Sequence, residues 1–484
     1  MKRISLIKSM SLLNRTFMIL ALGLASLTSV AKDRLVVSKA PAGIELKNDF
    51  KVQARTSGGE WQDIDTYAFK VDRVADAKHN VEVTSVAKFE FEGKVEIQVK
   101  SIAQDIKSFK VRPNSYGIEA KQEGNTLTFS LDRPRYLSVE INGNIYQNLQ
   151  IFADNILEKP KVKKKKDLMY FGPGVHDFKG DSIHITSGKT VFIDNGAVIK
   201  GWLSTYGSRD VKILGHGIVM PGHHEGIMVR YSKNVYIDGP LTTQLPIGGS
   251  DSVTVKNAKV MSWYGWGDGF NIFASNNVYQ EHLFARTSDD CSTIYCTRKN
   301  YHGGCRNTTI KDFVMWADVA HPIMIGLHSE TPENEDITNV LYDNIDILEH
   351  AENQIDYQGC IGINNGDNIL VKGVTFQNFR IDNIRKGMLF NMRVCFNKKY
   401  CSAPGRGIED ITLRNIAYTG EAPNMSIIAG YDESRKVKNI RFENFTINGK
   451  VISDDMPGKP KWYKTADMAN IYVNDHVENV TFSK

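Results

Sequence analysis

Histidine, proline and cysteine are all scarce in this chain, at 12, 14 and 6 of 484 residues. No Cys/His cluster has zinc-site spacing, so the sequence calls for no metal and no other cofactor. The few prolines stand beside 39 glycines, a balance that suits many tight turns in a β-rich protein better than disorder. Long apolar runs are also missing, apart from one near the start, from Phe17 to Leu27. That run falls short of the roughly 20 residues that cross a bilayer. Lys2, Arg3, Lys8 and Arg15 precede it, and the small residues Ser29-Val30-Ala31 follow. Residues 1–31 therefore read as an export signal rather than a membrane anchor. The mature chain is expected to begin near Lys32 and to reach the periplasm or the exterior, with no integral membrane segment. No cysteine stands at the junction, which argues against a lipoprotein.

A strong charge of one sign is lacking too. The formal +5 includes four positive residues of the signal, so the remainder is close to neutral. The one basic run, Lys161 to Lys166, has no aromatic residue within it and is a poor stacking platform for bases. It reads as a solvated linker, and no nucleic-acid partner is expected. Export permits disulfide bonds, and Cys395 with Cys401 or Cys296 with Cys305 would each close a small loop. Spacing leaves the pairing open. No interface signal stands out, so a monomer is expected.

What is present falls into two rhythms. Residues 32–165 alternate between apolar and polar, as in Phe89-Glu90-Phe91-Glu92 and Leu137-Ser138-Val139-Glu140-Ile141. Turn signals such as Asn142-Gly143-Asn144 separate the strands, which predicts an N-terminal β-sandwich. Residues 166–484 instead repeat short apolar strands fed by Asn, Asp and Gly. Examples are Asn307-Thr308-Thr309-Ile310, Asn339-Val340 and Val437-Lys438-Asn439-Ile440. This predicts a right-handed parallel β-helix in an all-β protein, with Asn stacking or bonding along the axis where turns feed strands.

Three polar segments stand out on that scaffold: Trp263-Tyr264-Gly265-Trp266-Gly267-Asp268-Gly269-Phe270, Thr287-Ser288-Asp289-Asp290 and His321-Pro322-Ile323-Met324-Ile325-Gly326. Asp289 follows Asp268 by 21 positions, about one coil, which places the two on adjacent coils some 4.8 Å apart along the axis. Stacked carboxylates raise one another's proton affinity, so one can stay protonated while another is ionised. Glycoside hydrolysis needs that division between acid and base. Trp263, Tyr264, Trp266 and Phe270 are candidates to stack on sugar faces. Tyr295, Arg298 and His321, with Arg286, Tyr301 and His302 nearby, are candidates to hold hydroxyls.

The second region resembles the catalytic domain of glycoside hydrolase family 49, the dextranase and isopullulanase family. The resemblance runs from Tyr170-Phe171-Gly172-Pro173-Gly174-Val175-His176 through Ile213-Leu214-Gly215-His216-Gly217 to Asp268-Gly269-Phe270 and Asp289-Asp290. It continues through Val314-Met315-Trp316 to Tyr342-Asp343-Asn344-Ile345-Asp346-Ile347, and Gly58-Gly59-Glu60-Trp61 fits the family's N-terminal sandwich. It implies inverting hydrolysis of an α-linked polysaccharide, a dextran- or pullulan-like α-glucan. It also implies Asp289 as general acid, with Asp268 and Asp290 positioning and deprotonating water. Cys291-Ser292-Thr293-Ile294-Tyr295-Cys296 departs from the family where a lysine is expected, and this puts the substrate subsites in doubt. Arabinan, a pectin-type polygalacturonase reaction, a β-helix lyase or epimerase, and a non-enzymatic glycan-binding β-helix are the alternatives. A groove lined with Lys and Arg would mark a uronate polymer.

Overall fold

The structure of the protein is a computed structural model that describes residues 33–484 apart from Ala77, His223, His224 and Ala422. The signal expected over residues 1–31 lies outside the described residues. Two antiparallel-rich sheets come first. In one, the strand Lys78–Glu92 lies between Arg34–Val36 and Leu149–Asn155 and also pairs with Thr66–Ala75; in the other, Phe50–Thr56 and Val95–Ser101 are central. Alternate side chains such as Val52, Phe89, Ile97, Phe129 and Val139 fill the space between them. This is the sandwich that the period-2 alternation predicts.

From Leu168 onward, 28 strands follow one another in a single wound sheet, in sequence order and almost wholly parallel. Each strand pairs with its counterpart one coil later. Asn276–Thr287, Cys305–Ala317, Glu335–Ala351, Ile369–Ile381, Gly407–Tyr418 and Val437–Ile447 lie side by side in this way. Their inward residues form one continuous core, from Phe171 to Phe482. The chain is a right-handed parallel β-helix behind an N-terminal sandwich.

The recurrent asparagines hold the corners. Asn277, Asn307 and Asn339 all take left-handed backbone angles, with φ of 55°, 57° and 56°. Asparagine tolerates that conformation better than most residues with a side chain. Each passes its amide to the coil below: Asn277 Nδ2 donates to Asp251 Oδ2 at 3.0 Å, Asn307 to Asn277 at 2.9 Å, and Asn339 to Asn307 at 2.8 Å. A second ladder links Asn378, Asn415 and Asn444. Asn-Val/Ile steps of the sequence such as Asn277-Val278, Asn339-Val340 and Asn415-Ile416 are among the rungs.

Two features of the seam between sandwich and helix matter for the site. Tyr67, Phe69, Val86 and Phe152 pack on Met261, Phe284, Val314 and Trp316 of the helix. Arg286 lies in that seam. Its Nε donates to Asp318 Oδ2 at 2.8 Å, its Nη1 to Asn148 Oδ1 at 2.9 Å, and its guanidinium lies 4.4 Å from the Trp316 ring centroid. Arg286 is thus a clamp between the layers and not a ligand for sugar hydroxyls.

The expected disulfides are not formed. All six cysteines are free thiols. Cys291, Cys296, Cys305 and Cys360 are fully buried and fill the helix core as small apolar side chains. Cys395 and Cys401 are hydrogen-bonded to each other as thiols. Among the described residues no helix is long and apolar enough to cross a membrane.

Asn307→Ala removes two ladder bonds and puts an alanine at positive φ. It is expected to destabilise the fold by about 2 kcal/mol, measured by urea denaturation. Asn307→Gly relieves the backbone and should recover part of the loss.

Candidate active site

Register between coils builds the site. Phe270 pairs with Ser292, and Ser292 with Ile323. Carried back two residues, the same register puts Asp268 opposite Asp290, and Asp290 opposite His321. Backbone bonds agree: Gly269 N donates to Asp290 O at 2.8 Å, and Cys291 N to His321 O at 2.8 Å. Asp268, Asp290 and His321 therefore stack on three successive coils. The coil is 22 residues here, so Asp290 lies over Asp268 and Asp289 stands beside the stack. The sequence interval of 21 had paired Asp289 with Asp268.

Gly269 keeps the coils this close. A Cβ on it would lie 2.3 Å from the Cys291 carbonyl oxygen, so no larger residue fits without parting them. The turn before it is tied within itself and to the next coil. The Ser262 hydroxyl donates to Gly267 O, and the Ser288 hydroxyl to Tyr264 O.

The three carboxylates have different surroundings. Asp290 is buried and held by donors. His321 N and Nδ1 reach its Oδ1 at 3.1 and 2.7 Å, and the Tyr295 hydroxyl donates to Oδ2 at 2.9 Å. Asp268 is half-buried, and its Oδ2 accepts from Asn271 Nδ2 at 2.6 Å. Burial first, and then the neighbouring Asp290 charge, push its pKa up to about 7. Asp289 is half-buried and accepts the Asp290 amide at 3.0 Å. Burial, with Asp268, Asp290 and Glu352 around it, raises its pKa well above the carboxylate range. Such a group holds its proton more tightly than an ordinary carboxyl and is the candidate donor.

His321 is fully buried behind Asp290. Its Nε2 donates to the Tyr357 carbonyl, and the Tyr357 ring meets it edge-on at 4.4 Å. Burial opposes a charged ring, yet Asp290 and the hydrogen bonds outweigh burial and raise the histidine pKa. His321 thus steadies a carboxylate, although the sequence placed it on the sugar-binding wall. Phe270 is also turned inward, 0% exposed and edge-on to Phe313 at 5.3 Å, so it offers no ring to a sugar. Trp266 is 85% exposed on the rim. Tyr264 is half-buried and its hydroxyl accepts from Gln244 Nε2 at 2.9 Å. Trp263 faces the sandwich, where Lys70 Nζ stands 4.4 Å from its ring centroid. Tyr295 is 4% exposed and in contact with Asp290, while Arg298 stays at the surface and pairs with Glu330 at 3.1 Å.

Three participants were not read from the sequence. Asn271 orients Asp268 and had a signal, since it lies three residues on in the same segment. Glu352 and Tyr357 lie beyond a long strand and an irregular insertion, where no spacing rule applies. Among the described residues no group of His, Cys, Asp and Glu is placed to hold a metal ion.

Asp268→Asn keeps the bond from Asn271 and removes a carboxylate whose folded pKa is raised. In the wild type, stability falls as pH rises from the unfolded value near 4 through about 7. The variant lacks that fall. It should match the wild type near pH 4 and be more stable by on the order of 2 kcal/mol at pH 8, in thermal melts across pH. Gly269→Ala should cost about 1–3 kcal/mol and most of any activity, because it spreads the two coils that hold the carboxylates.

Comparison with known proteins bears on the family. The model described as "Glycosyl hydrolases family 28" matches residues 233–460, just under half of the chain, and this span holds all three aspartates and His321. No curated protein matches. Among solved structures, Dex49A from Penicillium minioluteum is similar with a TM-score of 0.65 at 13% identity, over 92% of this chain and 96% of that one. The Yersinia enterocolitica family 28 exopolygalacturonase is similar with a TM-score of 0.51 at 12% identity, over 80% of this chain and 96% of that one. At such identities both show a shared fold and no more. The expected membership of family 49 is thereby corrected, since the family model that matches is that of family 28. Asp268-Gly269-Phe270 and Asp289-Asp290 lie inside the span that the family 28 model matches, so they do not single out family 49.

Proposed function

We propose that the protein is a β-helical glycosidase that hydrolyses a polysaccharide, and that the polymer is a pectin-type galacturonan. The observation that carries this is the in-register stack of Asp268, Asp290 and His321, with Asp289 beside it, inside the span matched by the family 28 model. In this reading Asp289 protonates the glycosidic oxygen as the bond breaks. Asp268 and Asp290 position a water and take its proton. Attack from the opposite face inverts the anomeric centre, and no covalent sugar intermediate forms. His321 and Tyr295 hold Asp290 still and touch no sugar.

A uronate polymer is favoured over a neutral glucan by the side chains along the groove. Arg230, Gly248, Phe273 and Tyr295 stand in one column across successive coils. Farther along the same face the column continues through Gly326 and Asn364 to Arg393. Arg298 lies near enough to Asp268 to lower its pKa against the other influences. Arginines at both ends of this column, with Arg298 beside the carboxylates, suit sugar rings that carry carboxylates. The Yersinia protein named an exopolygalacturonase shares the fold and is in keeping with this choice.

Purified protein is expected to release reducing ends from polygalacturonate and little from dextran or arabinan. Asp289→Asn should cut that rate by at least about a thousandfold while leaving the fold intact. Release from dextran alone would sink the galacturonan assignment, and full activity in Asp289→Asn would sink the choice of acid. Products of inverted configuration, read by proton NMR in the first minutes, complete the test.

A further inference from the structure

Trp263 was expected beside the carboxylates and stands instead at a second concavity. A cleft of about 480 Å³ opens where the sandwich strand Thr66–Ala75 meets the helix. On the helix side its wall is a column of outward residues. The pairings Ile199–Val219, Val219–Thr242 and Thr242–Val260 bring Lys200, Met220, Thr243 and Met261 into line. On the sandwich side stands Lys70, with Glu45 from the loop before it. Trp263 closes one end, with the Lys70 ammonium 4.4 Å from its ring centroid.

The chemistry of this lining is specific. Thioether and aromatic surface forms the floor, and two ammonium groups with one carboxylate stand around it. A sugar ring presents an apolar CH face on one side and hydroxyls at its edge. A uronic acid adds a carboxylate to that edge, which an ammonium matches. A fatty chain would leave the charged groups unpaired, and a neutral apolar ligand would give them no partner.

The cleft lies a few residues from the carboxylate site. Trp263 is followed directly by Tyr264, whose carbonyl accepts from the Ser288 hydroxyl, and Ser288 precedes Asp289. Exposed Trp266 lies three residues after Trp263 and two before Asp268. This adjacency lets one long chain reach both places.

We propose that the seam between the sandwich and the β-helix is a second, non-catalytic saccharide site. It takes a uronate-bearing unit of the same polymer, with Lys70 and Lys200 as its anion partners and Trp263 as its platform. The sandwich thereby contributes to substrate capture, and long chains gain affinity by engaging both sites at once. This rests on the galacturonan reading given above.

The test combines Lys70→Glu with Lys200→Glu. In the active enzyme the double variant should raise KM for polygalacturonate by at least about tenfold, with kcat and the KM for the trimer unchanged. In the Asp289→Asn background, calorimetric titration with galacturonate hexamer should show two sites, and one after K70E/K200E. Thermal melts establish that each variant is folded, and Trp263→Phe, which keeps an aromatic ring, should retain the second site. A single isotherm that K70E/K200E leaves unchanged, no hexamer binding at all, or equal losses on trimer and polymer overturns the proposal. A wild type inactive on polygalacturonate whose hexamer binding still needs Lys70 and Lys200 retires the hydrolase reading and keeps the site.

Discussion

Parallel pairing from one coil to the next is the constraint on which this molecule depends. Each strand takes its backbone partners from the coil before and the coil after, so a side chain's position along the axis is set by register. A slip of one residue would turn every outward side chain inward. The asparagine ladders guard against such slips at the corners, where the backbone leaves the strand conformation. Asp268, Asp290 and His321 come together only because this register holds across three coils.

The same stacking creates the electrostatics. Carboxylates about 4.8 Å apart in a partly desolvated groove cannot all ionise freely. The structure resolves the conflict by unequal support. Asp290 receives three donor contacts, and Asp268 and Asp289 bear raised proton affinities. A similar logic governs the seam behind the site, with other groups. Lys259 Nζ meets Asp154 Oδ1 at 2.8 Å, and Arg112 bridges Glu140 and Glu349 at 2.8 Å each, all buried. Removing one member of such a pair strands its partner in low dielectric, which typically costs 3–5 kcal/mol. The sandwich and the helix are therefore bonded through groups that neither could leave buried alone.

Much of this was legible in the sequence because it is local. Alternation, turn residues and the repeated Asn-Val/Ile step follow from the preferences of a few neighbouring residues, and they gave the sandwich and the solenoid in the right order. Asp268 and the Asp289-Asp290 pair were legible as a group, because a coil has a narrow range of lengths. The orientation of Phe270, Trp263 and His321 was not. All three lie at or beside bends, where strict in-and-out alternation lapses, and each was read as facing a groove. Cysteine spacing misled for a related reason. Short separations along the chain say nothing about whether two thiols face each other or the core.

The sequence by itself determined that this protein winds short strands into a β-helix behind a sandwich and brings aspartates from neighbouring coils to one place. Those outcomes rest on periodicity and turn chemistry, which act over a few residues. Tertiary structure alone decided that Asp290 and not Asp289 lies over Asp268, that a buried histidine holds it, and that Glu352 and Tyr357 join from a distant insertion. It also decided that Trp263 turns toward the sandwich. These depend on coil lengths differing by single residues and on contacts between segments far apart in the chain, and only the packed structure sets them.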